Sequence, residues 1–351
     1  MTPIDLKVRT SGRYKFRIVN KFTGRERHID AKADNLLLVS FFQHAVSNRT
    51  QNQGWLASMV VGSGTTPPSV SDTGLANFVA GTATSQGPAL PNVVNATVSP
   101  RYVTRHLVKR FNGTSIAGVP LSEVGLAITT SAAQTPNAST PLASRALITD
   151  SAGNPTSITV LADEFLDVTY ELTTYAMDGV TGSFDINIEG VVETFNYEIR
   201  PESMNSTSAW SSSTTSSGNT YLSAKSYPGA SNVDAYSSYV SAADTFTDPV
   251  TNATPPDWNL SNSRFTSYKQ LPIWDGGAMS ATGILTLPLN NGNYPGGFNS
   301  IVLNFGFSSP VGNMVLGVHR MLLDKPVPKT SDHVFDFPVT LSLANTTPPG
   351  V

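Results

Sequence analysis

The stretch "YKFRIVNKFTGRERHIDAK", residues 14–32, decides the fold class. Apolar and basic side chains alternate from Tyr14 towards Val19, with Lys15 and Arg17 set between Tyr14, Phe16 and Ile18. A period of two sends successive side chains to opposite faces, which is the signature of a strand with one buried side. Thr23-Gly24 supplies a turn, and the pattern resumes through Arg27 and Ile29. The segment therefore reads as a β-hairpin.

The same pattern recurs along the chain. "GVPLSEVGLAITT" (118–130), "SRALITDSAGNPTSITVLADEFLDVTYELTTY" (144–175) and "GSFDINIEGVVETFNYEIR" (182–200) read as strands, and "DSAGNP" (150–155) as a hairpin turn. Val168 and Tyr170 alternate with Asp167, Thr169 and Glu171, so one side of that strand is expected to be buried and the other wet. Alternation returns at "VFDFPVTL" (334–341). One segment breaks the rule. In "ADNLLLVSFFQHAVSN" (33–48), Asp34 offers an N-cap and Leu37, Phe41 and Ala45 share a helical face, which predicts a core helix over residues 35–47. The expectation is an all-β fold of β-sandwich-like lobes with that one principal helix.

Three parts follow from the pattern: a β-rich part with the helix (1–200), an irregular Ser/Thr- and aromatic-rich region (201–263), and a β-rich C-terminal part (264–351). The middle region carries Trp210, Tyr221, Tyr227, Tyr236, Tyr239 and Trp258 among small polar residues. Aromatic content of this kind argues for an ordered segment, and Tyr and Trp favour interfaces because they join large area to a polar handle. These six are the candidate interface residues, for contact with another subunit or protein; capping of the chain's own second lobe is the alternative.

Composition narrows the function classes. The chain has 351 residues with 39% hydrophobic and only 13% charged, about half the globular norm for charge. Its net charge of -3 gives no overall basic field for nucleic acid or anionic lipid. No apolar run approaches the roughly 20 residues of a spanning helix. The absence of cysteine removes disulfides, thiol catalysis and Cys-based zinc sites. The N-terminal stretch shows no apolar core of a signal peptide, so synthesis in the cytoplasm is expected.

Motifs with chemistry in them are few. In "VVGSGTTPPSVSDTGLANFV" (60–79), Gly62-Ser63-Gly64 invites a phosphate-loop reading, but Thr65-Thr66-Pro67-Pro68 follows where a lysine would be required. The stretch reads instead as a strand end, a glycine turn and an extended linker. The five histidines, His28, His44, His106, His319 and His333, show no metal-ligand spacing and are expected at the surface. Arg101, Arg105, Lys109 and Arg110 in "RYVTRHLVKRF" could form a basic stripe, read as a solvated face or a subunit contact in preference to a nucleic-acid site. Asp163, Glu164, Asp167 and Glu171 cluster locally without a catalytic pattern. No catalytic, cofactor or metal residue is assigned.

"VGSGTTPPSVSDTGL", "PLSEVGL", "SRALI" with its Gly-Asn hairpin, and "EFLDVTYEL" follow one another along the chain. This order of landmarks resembles a group of tailed-bacteriophage virion structural proteins, described as tail, baseplate or fibre-associated. Trp210 in a Ser/Thr-rich region, "GGFNSIVLNFGFSS" and "DKPVPKTSDHVFDFPVTLSL" extend the likeness over nearly the whole chain. The resemblance implies a non-enzymatic particle component that resides in the virion tail. It would assemble as a homo-oligomer, preferably a trimer, with other virion proteins, and could contact the host cell surface. A capsid decoration or a neck and collar protein is the alternative; a glycan-degrading tailspike fits less well, for want of a short repeating rung.

Overall fold

The computed structural model describes residues 3–41, 54–86, 93–95, 97–129, 133–203, 239–246, 267–275, 280–307 and 314–345. In chain order the strands begin with β1 (Ile4–Asn20), β2 (Glu26–Arg27), β3 (Lys32–Asp34), β4 (Leu36–Leu37), β5 (Gly54–Gly62), β6 (Phe78–Thr82) and β7 (Val93–Asn95). They continue as β8 (Tyr102–Asn112), β9 (Glu123–Thr129), β10 (Leu142–Leu147), β11 (Glu164–Tyr175), β12 (Val180–Ile188) and β13 (Val191–Ser203). The last are β14 (Tyr239–Ser241), β15 (Ser267–Asp275), β16 (Ser280–Leu287), β17 (Phe298–Phe307), β18 (Met314–Val327) and β19 (Phe335–Asn345). The fold is all-β, as the alternation requires.

Three sheets carry these strands. The largest has nine, in the order β15-β16-β19-β1-β11-β8-β7, with β2 and β3 paired onto β1. Two five-stranded sheets, β4-β10-β9-β5-β6 and β12-β13-β18-β17-β14, accompany it. All pairings are antiparallel except β1 with β19, which brings the two ends of the described chain side by side.

The 17 residues of β1 run about 56 Å at the ordinary rise per residue. Its register sets Ile4 beside Val339 and Tyr14 beside Tyr170. Even-numbered residues of β1 therefore share one face along its whole length. At one end Tyr14 crosses to the first five-stranded sheet, its hydroxyl 2.6 Å from the Ser144 hydroxyl of β10. At the other end Phe337, on the Val339 face, meets Phe184 of β12 edge-on at 5.7 Å. Phe335 meets Phe298 of β17 at 5.3 Å in the same way. The two small sheets thus cover opposite ends of one face of the large sheet, and a single continuous core runs beneath them. Alternation alone explains why those side chains lie inside.

β9 is buried at every position from Glu123 to Thr129. Val124 and Leu126 join the main core, while Ala127 packs outward with Leu38, Val60 and Leu142 in a second small cluster. The hairpin between β12 and β13 closes on Glu189 and Gly190, both at positive φ, as a tight two-residue turn requires. "DSAGNP" also forms its turn: Asp150 N–H donates to Asn154 O at 2.9 Å, and Gly153 holds a φ of 88°.

The helix expected over 35–47 starts later. Asp34 ends β3 and accepts from Arg13 Nε at 3.2 Å, so it does not act as an N-cap. Leu36–Leu37 form β4 on the edge of β10, and helical geometry begins only at Val39. Pairing with an open strand edge satisfies the backbone there, and the helical pattern of Leu37 and Phe41 cannot override it. Residues 42–47 lie outside the described residues. The one complete helix among those described is a single turn, Gly113–Ile116, capped by the Asn112 side chain on Thr114 N–H.

A buried hydrogen-bond group ties the large sheet to its first partner. The rings of Tyr14 and Tyr170 lie 4.7 Å apart, and the Tyr170 hydroxyl accepts from Asn35 Nδ2 at 2.7 Å. Gly12 makes room for this: a Cβ there would stand 2.4 Å from Asn35 Nδ2 and 2.5 Å from the Tyr170 hydroxyl. Burial pushes both phenols above the ordinary tyrosine range, so both stay neutral. Tyr14→Phe should remove one of the buried hydrogen bonds of Ser144, which keeps the Leu126 N–H at 3.4 Å, and cost about 0.5–1.5 kcal/mol, read as a lowered urea midpoint with an unchanged slope. A midpoint equal to wild type would contradict this role.

Candidate functional site

Two clusters of polar side chains stand out, one closed and one open. The closed one answers the question raised by Gly62-Ser63-Gly64. Glu123, at the start of β9 and fully buried, points its carboxylate into the loop. Gly64 N–H and Asn77 N–H donate to its Oε1 at 2.9 and 2.8 Å, and Ala76 N–H donates to Oε2 at 3.1 Å. Arg145 of β10 donates through Nε to Oε2 at 2.9 Å, through Nη1 to Asp72 at 2.7 Å, and through Nη2 to Thr66 O at 2.9 Å. The backbone amides that could have cradled a phosphate hold an internal carboxylate.

The glycines follow from that arrangement. A Cβ on Gly64 would lie 2.4 Å from Glu123 Oε1, and one on Gly62 would lie 2.4 Å from Asn77 O. Close approach of backbone to carboxylate demands both. Thr65 and Thr66 are exposed, and Thr66 contributes only its carbonyl. Glu123→Gln should leave the Arg145 charge under-compensated and cost about 3 kcal/mol, whereas the Thr65→Ala, Thr66→Ala pair should melt as wild type. The wild-type protein is expected to bind neither ATP nor GTP; calorimetric titration and thermal melts check all three outcomes.

The open cluster lies on the other face of the large sheet. Register places Arg17, Asp167 and Arg110 abreast on β1, β11 and β8, and likewise Arg13, Glu171 and His106. Asp167 was expected on a wet face; it points outward but is only 2% exposed. Arg110 grips it through Nε at 2.6 Å and Nη2 at 2.8 Å, and Arg17 reaches it from the other side at 2.8 Å. Two strongly hydrogen-bonded guanidinium groups shield the carboxylate from water.

One turn of the ladder along, the face opens into a cleft of about 150 Å³. It is lined by Ser11, Gly12 and Arg13 of β1, Tyr102, Thr104 and His106 of β8, Glu171 and Thr173 of β11, and Val93 of β7. Glu171 Oε1 accepts from Lys15 Nζ at 2.6 Å and lies 3.5 Å from His106 Nε2. The Thr104 and Thr173 hydroxyls bond each other at 2.7 Å. Ser11 is 1% exposed, and its hydroxyl has no hydrogen-bond partner.

The Glu171 carboxyl is pulled down to about 2 by the His106 hydrogen bond, with Lys15 adding to the effect and burial opposing it. Arg13, Lys15 and His106 are the charged or titratable groups around it. A carboxyl whose folded pKa lies below its ordinary 4.5 stabilises the fold fully above that value and loses the contribution as pH falls towards 2. The stability difference between wild type and Glu171→Gln should therefore shrink across that interval. Urea denaturation over a pH series measures it, and a constant difference would refute the linkage.

The basic stripe expected of "RYVTRHLVKRF" does not form. β8 register turns Arg105 and Lys109 towards Leu172 and Val168 on the core side, and sends Arg110 and His106 outward. Lys109 is buried and donates to Ala83 O at 2.8 Å and the Ser85 hydroxyl at 3.0 Å. Burial lowers the Arg105 guanidinium to about 10. Arg101 pairs with Asp178 at 2.6 Å. The histidines also depart from a uniform surface role: His319 is fully buried, its Nε2 accepting from Met177 N–H at 3.0 Å, and His106 sits in the cleft.

Among the six candidate interface residues, Trp210, Tyr221, Tyr227, Tyr236 and Trp258 lie outside the described residues. Tyr239 opens β14, opposite Val302 of β17. Among the described residues no group of three or more His, Asp or Glu could hold a metal ion, and no helix is long and apolar enough to cross a membrane. The cleft residues come from four strands distant in sequence, so no local motif announces them; the period-two pattern of β1, β8 and β11 becomes informative only once their register is known. No protein-family model, curated protein or solved structure matches this chain.

Proposed function

We infer that the chain is a structural component of a bacteriophage virion, of the tail, the baseplate or a fibre attached there, and not an enzyme. The reading starts from the order of the sequence landmarks. What supports it most is where the first three of them meet. "VGSGTTPPSVSDTGL" supplies Gly62, Gly64 and Asp72, "PLSEVGL" supplies Glu123, and "SRALI" supplies Arg145. All five belong to the one closed polar cluster, whose groups satisfy each other. "EFLDVTYEL" is β11, inside the large sheet. Landmarks that converge on a loop clasp and a central strand are those of a scaffold, where shape is what must be kept.

In this reading the chain works in the tail as a homo-oligomer, a trimer by preference, joined to other virion proteins and placed to touch the host surface. The aromatic residues Trp210 and Trp258 belong to the subunit contact. Sedimentation of disrupted particles tests the assignment: the protein should travel with tails. Travel with heads would place it as a capsid decoration or collar protein, and clearance of host glycan by the pure protein would make it a depolymerase. Analytical ultracentrifugation should show an oligomer that Trp210→Ser with Trp258→Ser weakens at least tenfold while circular dichroism stays unchanged. A wild-type monomer, alone and in the particle, would refute the assembly.

A further inference from the structure

We propose that the cleft between β1, β8 and β11 binds one neutral sugar residue through its hydroxyl groups. Its size sets the first limit. A cavity of about 150 Å³, at roughly 30 Å³ per water, holds about five waters. One six-membered polyol ring fills the same space.

Charge sets the second limit. Arg13 is paired with Asp34 and Lys15 with Glu171, so the two cations at the rim are matched by two carboxylates. An anion would meet the ionised Glu171, and an ammonium group would compete with Lys15 for a carboxylate already engaged. A neutral ligand that both donates and accepts hydrogen bonds meets neither obstacle.

The hydrogen-bonding groups supply the positive case. Ser11 lines the cleft, and its hydroxyl is buried and lacks a partner, a state that costs about 1–3 kcal/mol unless the hydroxyl turns towards something entering the cleft. Glu171 uses Oε1 for Lys15 and His106, which leaves Oε2 to accept from a ligand hydroxyl. Arg13 engages Asp34 through Nε, which leaves its terminal nitrogens to donate. Tyr102 adds an aromatic wall, against which the C–H face of a sugar can pack. Acceptor, donors, a lone hydroxyl and an aromatic surface surround one small volume. This assignment does not rest on the particle reading and survives if that reading fails.

The test uses the full chain and a panel of glucose, galactose, mannose, rhamnose, N-acetylglucosamine and N-acetylgalactosamine, by saturation-transfer NMR and calorimetry. At least one should bind with a Kd of about 1 mM. Ser11→Ala and Glu171→Gln should each weaken it at least tenfold, and Phe22→Ser, at an exposed turn, should leave it unchanged. No binding by any sugar up to about 20 mM, well past a Kd of about 1 mM, overturns the proposal. So does binding that survives in both cleft variants. If Glu171→Gln fails to fold, the Ser11→Ala result decides alone, because that change removes a single oxygen.

Discussion

The long strand β1 is the constraint on which the rest depends. It passes through both sandwich lobes without a break in register, from Ile4 beside Val339 to Asn20 beside Glu164. Side-chain period is exact in an unbulged strand, so a slip of one residue would turn Ile4, Leu6, Tyr14 and Ile18 out of the core together. Both lobes would lose their hydrophobic face in one step. The parallel partner β19 and the antiparallel partner β11 therefore hold a common register, and neither lobe is free to choose its own.

A second constraint is electrostatic. Glu123 and Arg145 are charged groups taken wholly out of water, and such a pair is stable only when the remaining hydrogen-bonding capacity is used. Three backbone amides, Asp72 and the Thr66 carbonyl use it. The chain between β5 and β6 is thereby fixed by contacts made with β9 and β10 rather than by its own turn chemistry. The Gly-Ser-Gly sequence resembles an anion loop for a physical reason: it is one, with its anion supplied from within the protein.

The two faces of the large sheet divide the work. One face is apolar and covered; the other carries a ladder of opposite charges directly across the strands. Over Asp167 the ladder closes, because two guanidinium groups reach the same carboxylate. Beside Glu171 it stays open, because small residues, Ser11, Thr104 and Thr173, line the neighbouring positions. Side-chain volume alone converts a continuous polar face into a cleft.

Much of this was legible in the residues themselves. Alternation identified the hairpin at 14–32, the buried side of β11 at Val168 and Tyr170, and the all-β class, because side-chain period is a local property of the backbone. Lack of a lysine after Gly64 argued against a phosphate loop, and the amide of Gly64 holds Glu123 instead. What only the tertiary structure decided was pairing. Asp34 looked like a helix cap until β3 lay along Arg13, and Leu36–Leu37 looked helical until β10 offered an edge. Arg105, Lys109 and Arg110 looked like one stripe until register with β11 split them between two faces. The cleft depends on Ser11, His106 and Glu171, which stand far apart in the chain and meet only across three strands. Which residues face the same way is written locally, but which strand lies alongside is settled by burial and hydrogen bonding over the whole molecule.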